Sequence, residues 1–307
     1  MTRMGKSHVT WRPKHARVAP LLAMIAAMAL AVLGFAAPAL AKKPTGNFVN
    51  FGQCPSKVAG VNLCVFAQTS SGEFKIKKTE VPITKTITLQ GGIIEGEGGA
   101  QTFVNAANGE TLSKTPQTVP GGLFKILAPS FFPEFLRNIF NEFVNKGITG
   151  VTATTELVGT PTINSENLAT GSGVALGLPV RVHLENAFLG SSCYVGSKAN
   201  PVNVELTTGT TSPPLPNEPI TGSVGEAELK EGGALIIIKK NELVNNTFSA
   251  PKAEGCGSQI LFGLFTGLID EAVDSELELP SVSGNNTAIL KGTLEIALAS
   301  AVVASEK

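Results

Sequence analysis

The chain has 307 residues, 43% of them apolar, and its 24 basic and 24 acidic side chains balance at neutral pH. Arg3, Lys6, Arg12, Lys14 and Arg17 all lie near the amino terminus, with no acidic residue among them, so the balance falls from 0 to −5 once that segment is removed. A mildly acidic protein whose only remaining arginines are Arg137 and Arg181 lacks the clustered cations that nucleic acid requires, so we expect no nucleic-acid partner.

The basic residues lead into an apolar run at 21–37 and then Ala39-Leu40-Ala41. That order, basic then apolar then small-x-small, predicts a signal peptide over residues 1–41, cleaved after Ala41. Seventeen or so apolar residues lie at the lower limit for a bilayer span, and the cleavage triplet argues against a retained anchor. No cysteine follows the cleavage site to take a lipid, and no twin arginine precedes the apolar run. We therefore expect a secreted or cell-envelope-associated protein with no transmembrane segment in the mature chain. Subtracting 41 from 307 leaves 266 residues, enough for a real core. They divide near 159–173 into a region over 42–160 and one over 161–307, or else form one interleaved domain.

Cys54, Cys64, Cys193 and Cys256 all follow the predicted cleavage site, and an even count in an exported chain predicts disulfides. Four cysteines allow three pairings. Cys54 with Cys64 and Cys193 with Cys256 is preferred, because each pair lies in one stretch of similar texture and closes a modest loop. On the chain-entropy account the shorter loop contributes about 3 kcal/mol and the longer about 4 kcal/mol. A metal site is disfavoured, since there is no Cys-x-x-Cys and His183 is the one histidine beyond residue 41.

In chain order, residues 74–89 alternate apolar and polar side chains around Pro82, predicting two short strands or one strand broken at the proline. Gly91, Gly92, Gly96, Gly98 and Gly99 read as a turn or loop. Apolar pairs at 131/132, 135/136, 139/140 and 143/144 predict an amphipathic helix over about 130–146, with Ser130 as N-cap and the apolar face, Phe135 and Ile139 included, docked on the sheet. Alternation returns at 151–158, 179–184 and 202–208, and residues 207–219, rich in proline, predict an extended loop. Further strands are expected at 234–239 and 288–297. Between them residues 258–276 predict a second helix, mostly buried and too short to cross a bilayer, with Asp270 and Asp274 on a solvated face. Many short strands between turn signals predict a mainly β fold: an antiparallel sandwich or barrel-like domain with two inserted helices.

Chemistry is scarce. His183 sits in the alternating run LPVRVHLENAF, where it reads as an ordinary strand histidine, solvent-facing or satisfied. There is no Gly-x-Ser-x-Gly elbow and no phosphate-binding glycine loop, and Ser249-Ala250-Pro251-Lys252 lacks the partner motifs of a serine-lysine enzyme. Two aspartates cannot build a calcium loop. With 22 glutamates a paired-carboxylate hydrolase remains the alternative enzyme, but Tyr194 is the one tyrosine and no tryptophan follows Trp11 to floor a sugar cleft. The sequons at Asn245 and Asn285 matter only in a glycosylating host and otherwise read as turns.

The strings CYVGS (193–197), LTTGTTSPPLPNEPITG (206–222), GCG (255–257) and LPSVSGNN (279–286), and more loosely LQGG (89–92) and VPGGL (119–123), resemble a group of uncharacterised exported proteins of actinobacteria. The resemblance covers mainly residues 176–292; it implies export and the Cys193–Cys256 pairing, and supplies no catalytic residue. The expected function is a secreted or envelope-associated, non-enzymatic β protein of structural or binding role, without a cofactor, metal or catalytic residue. The alternative is a carrier of an apolar ligand or a membrane-surface binder.

Overall fold

The computed structural model of the chain describes residues 42–122, 133–135, 138, 150–186, 189–257 and 266–307. Its backbone strand is β1 (Leu63–Ile76), in which Val65 and Ala67 alternate with Cys64 and Phe66 so that the two sets enter different apolar clusters. Along its whole length β1 pairs with β14 (Asn286–Leu298). On its other side the first half pairs with β3 (Ile87–Glu95) and the second half with β2 (Thr79–Pro82). The alternation at 74–89 therefore continues across a hairpin at Lys77 and Lys78, and β2 and β3 form one interrupted strand. Pro82 ends the first piece because it has no N–H to give the ladder. Across the gap the side chain of Gln117 stands in for a strand: its Oε1 accepts from Thr84 N (2.9 Å) and Lys85 N (3.0 Å), and its Nε2 donates to Lys85 O (2.8 Å).

Outside β3 lies β4 (Gln101–Asn105); outside β14 lie β12 (Leu235–Asn245) and then β11 (Glu226–Lys230), giving the order β11-β12-β14-β1-β3-β4. Gly91 and Gly92 lie inside β3, which corrects the turn expected there. A Cβ on Gly91 would meet the Phe103 ring at 2.6 Å, and one on Gly92 would meet Pro55 and Val61 at 2.9 Å. Close packing on both faces of the strand, rather than a turn, is what these glycines permit. Bulges in β1 and β12 both fall opposite Gly292, so the sheet bends at one level across three strands.

The second sheet comprises β5 (Gln117–Val119), β6 (Val151–Leu157), β7 (Thr162–Ile163), β8 (Leu176–Glu185), β9 (Tyr194–Val195), β10 (Val202–Leu206) and β13 (Ala253–Glu254). Its centre is β8, flanked by β6 and β7 on one side and by β9 and β10 on the other. Pro179 lies where β6 has ended and β7 has not begun, so its missing N–H costs no bond on that side. Both sheets are antiparallel and face each other across Leu176, Leu178, Val180, Leu89 and Leu290. They join where Thr207 and Val244 exchange backbone hydrogen bonds of 3.0 and 2.8 Å. Among the described residues strand far outweighs helix, and the architecture is the expected mainly β sandwich. Both sheets draw strands from either side of residue 160, within one compact unit, Lys43–Lys307.

Beside the sheets, the described residues include the helices α1 (Ser165–Thr170), capped by Asn164, α2 (Thr266–Leu277) and α3 (Ala299–Ala304). The end of the helix expected at 258–276 is α2, and residues 258–265 lie outside the described residues. Of the helix expected over 130–146 only Pro133, Glu134, Phe135 and Asn138 are described. Phe135 is 64% exposed, which corrects the expectation that it docks on the sheet. Periodicity marks an apolar face without saying what meets it. Among the described residues no helix is long and apolar enough to cross a membrane.

Candidate ligand-binding cavity

The inner faces of the two sheets carry many short side chains, valines on β8, β9 and β10 and alanines at 67, 153 and 175, and these do not meet across the full width of the sandwich. Two apolar hollows result. The first, of about 100 Å³, lies among Phe74, Ile76, Val81, Val180, Val182 and Leu184. The second, of about 80 Å³, lies among Ala67, Leu89, Leu168, Leu176, Leu178 and Leu290. Phe74, Ile87 and Thr155 line both, so the two chambers adjoin at these residues.

Few polar groups reach the first chamber. Gln117 has spent its amide on the strand gap. Thr79 Oγ1, by contrast, is buried without a hydrogen-bond partner, and Glu276 of α2 adds the one carboxylate of the described lining. So few polar groups offer ordered water little to bond to in this chamber, since a buried water needs several polar partners.

Both disulfides have the pairing preferred from the sequence: Cys54 with Cys64, and Cys193 with Cys256, with Cα separations of 5.4 and 4.0 Å. The first ties the amino-terminal turn, with Phe48 and Phe51, against β1. The second packs with Leu189, Val195 and Val273, all of which line the first chamber, and so braces its wall. Asp270 and Asp274 hold the adjoining segment to α2. Asp270 Oδ1 accepts from Cys256 N at 2.7 Å and Asp274 Oδ1 from Ala253 N at 2.7 Å. Asp274 is 8% exposed. The solvated face expected for this pair is thus corrected: spacing by one helical turn does not reveal a backbone donor arriving from elsewhere in the chain.

The opposite face of β8 carries a polar row. Arg181 donates through Nε (3.0 Å) and Nη2 (2.7 Å) to Glu156 Oε2, Lys114 Nζ lies 3.3 Å from Glu156 Oε1, and the guanidinium also covers the Tyr194 ring at 3.8 Å. His183 stacks on the same tyrosine at 4.5 Å. It is a strand residue as expected, but neither solvent-facing nor satisfied: it is 9% exposed, and its buried Nε2 has no partner. No side chain among the described residues pairs with that nitrogen.

Burial pushes the Glu156 carboxyl up, but hydrogen bonds from Arg181 and the charges of Lys114 and Arg181 outweigh it and hold the group below the usual carboxylate range. A depressed folded-state pKa contributes stability above the unfolded value, and that stability is lost as pH falls through the folded value. Glu156→Gln should therefore cost about 1–2 kcal/mol at neutral pH and progressively less as the medium is acidified, in urea titrations at a series of pH values. A penalty independent of pH would refute the ion-pair account.

Beside this row a polar groove of about 320 Å³ contains Glu110 and Glu156. Glu156, held below the usual carboxylate range by Arg181 and Lys114, is not the protonated acid that a paired-carboxylate hydrolase needs. Burial and a hydrogen bond from Glu80 raise the Glu73 carboxyl, yet neither of these two lines a chamber or the groove. Among the described residues no three His, Cys, Asp or Glu side chains stand together to hold a metal ion. The chambers leave no trace in the linear pattern, because a hollow arises from how two faces meet, and no single strand records it. Compared with protein-family models, curated proteins and solved structures, the chain matches none of them.

Proposed function

We propose that the chain is an exported, non-enzymatic β protein that binds an apolar molecule between its two sheets. The observation that carries this reading is the pair of adjoining apolar chambers in a sandwich braced by a disulfide at one wall. An empty apolar cavity forfeits dispersion contacts along its whole lining, so an occupant of fitting shape recovers stability that the free protein lacks. The basic, apolar and small-x-small segments at 1–41, the disulfides, and the resemblance to exported actinobacterial proteins support export, in the secreted or envelope-associated sense.

The test uses the protein beginning after Ala41 with both disulfides intact. Xenon and n-hexane are expected to shift methyl resonances of Val180, Val182 and Leu176, and saturating n-hexane to raise the melting temperature by about 5–10 °C. Ala153→Leu, which adds three carbons to the first chamber, should abolish the shifts at Val180 and Val182 while leaving the protein folded. Absence of any shift in the parent protein would refute the reading.

A further inference from the structure

We propose that Asn108 is a self-modifying site: in the folded protein its side-chain amide is displaced by the backbone nitrogen of Gly109, which leaves a mixture of aspartate and isoaspartate at position 108.

The sequence supplies the reacting pair. Asn108-Gly109 is the one Asn-Gly step in the chain. The backbone nitrogen after an asparagine can close a five-membered ring on the side-chain Cγ, and a side chain on the following residue crowds that nitrogen. Glycine has none.

The fold leaves the pair open to water. Asn108 and Gly109 lie in the turn that follows β4, both exposed, and a Cβ on Gly109 would meet nothing within 4 Å. The flanks of this turn are anchored: Ala106 N donates to Thr111 Oγ1 (3.0 Å) and Ala107 N to Gln53 O (2.9 Å). Within that frame Asn108 Oδ1 accepts from Glu110 N at 2.9 Å. This donor points at the oxygen on which negative charge gathers when Cγ is attacked, the arrangement that stabilises an oxyanion. One contact opposes the reaction. Gly109 N donates to Ala106 O at 2.9 Å and must leave it before attacking, but a single exposed turn bond slows the step by about tenfold at most. Asn245, Asn246 and Asn286, by contrast, are buried and commit their Nδ2 groups to backbone carbonyls.

Gly109 N gives its proton to a solvent base, and its electron pair forms the bond to Asn108 Cγ. The Cγ–Nδ2 bond breaks, and that nitrogen leaves with a solvent proton as ammonia. Water then opens the cyclic imide at one of its two carbonyls. Opening at Cγ restores the backbone with an aspartate side chain, and opening at the backbone carbonyl routes the chain through the side chain as isoaspartate. The net reaction is amide plus water to carboxylic acid plus ammonia. Gly109 lines the polar groove with Glu110, Lys114 and Glu156, so the product sets a further carboxylate beside that groove.

The experiment incubates the disulfide-intact protein beginning after Ala41 at neutral to mildly alkaline pH and maps its peptides by mass spectrometry, separating aspartyl from isoaspartyl forms. Asn108 should convert ahead of Asn47 and Asn50, which are as exposed but each precede a phenylalanine. Isoaspartate should be present, and the rate should rise about tenfold per pH unit as the attacking nitrogen loses its proton. The folded protein should react within about tenfold of the same chain unfolded in guanidinium chloride. Gly109→Ala, for which the turn has room, should react at least about tenfold more slowly, with an unchanged circular dichroism spectrum. Conversion of Asn108 no faster than that of Asn47 and Asn50, aspartate without isoaspartate, a folded rate more than about tenfold below the unfolded one, or an undiminished rate in Gly109→Ala would each overturn the inference.

Discussion

Replacing Cys193 and Cys256 together by alanine should lower the unfolding free energy by about 4 kcal/mol, the chain-entropy value for a loop of 63 residues. For a domain whose whole stability is of order 5–15 kcal/mol, that is a large share. Both cysteines are fully buried in the cluster containing Leu189, Val195 and Val273, so truncation adds a packing loss to the freed chain entropy. Removing the Cys54–Cys64 bridge should cost less, about 3 kcal/mol, because its loop spans only ten residues. Urea denaturation of the two double variants gives the ordering directly. An equal or reversed ordering would mean that native packing around each bridge, rather than loop length, sets its contribution. Because the longer bridge braces the first chamber, its removal should also weaken n-hexane binding, whereas removal of the shorter should not.

Asn286→Leu should cost about 3–5 kcal/mol. Asn286 is fully buried at the start of β14, and its amide joins three segments: Nδ2 donates to Phe248 O (2.8 Å) and Val282 O (3.2 Å), and Oδ1 accepts from Ser281 Oγ (2.6 Å). Leucine matches its volume but leaves two carbonyls and a hydroxyl unpaired away from water, at about 1–3 kcal/mol each and not fully additive. Around it Asn217 Nδ2 donates to Asn286 O (2.8 Å) and Asn246 O (3.2 Å), Asn246 Nδ2 donates to Glu218 O (2.8 Å), and Asn245 donates to Glu205 O. The side chain of the neighbouring Asn285 makes only a marginal contact, at 3.5 Å, and its backbone bond from Lys77 N survives substitution, so Asn285→Ala should lie within about 0.5 kcal/mol of the parent. Thermal melts of the two variants provide the comparison, and similar melting temperatures would refute the network's weight. The Asn-Asn-Thr repeats at 245–247 and 285–287 lie at the end of β12 and the start of β14, where Asn245, Asn246 and Asn286 are buried and Asn285 belongs to a turn as expected.

Much of the strand pattern was legible. β6, β8, β10 and β14 each lie where apolar and polar residues alternate, because one face of each is buried and the side-chain period is two. The misses have separate causes. The continuation of β3 beyond residue 89 was hidden by Gly91 and Gly92, which serve close packing inside a strand. The hairpin at Lys77 and Lys78 was hidden because the alternation runs through it without a turn residue. Asp270 and Asp274 looked like an exposed face because their partners, Cys256 N and Ala253 N, come from the segment before the helix. Thr79 looked like any polar strand residue; only the folded packing leaves its buried hydroxyl without a partner.

The sequence by itself determined the strand-rich class, which residues of most strands turn inward, and which cysteines are close enough along the chain to pair. These depend on local periodicity and loop length, which a linear text carries. Tertiary structure alone decided the pairing of β1 with β14, more than two hundred residues apart, the use of Gln117 as a substitute rung, the burial of His183, and the two chambers. Each depends on the distance between surfaces that meet only after folding, and packing is a property of both surfaces together.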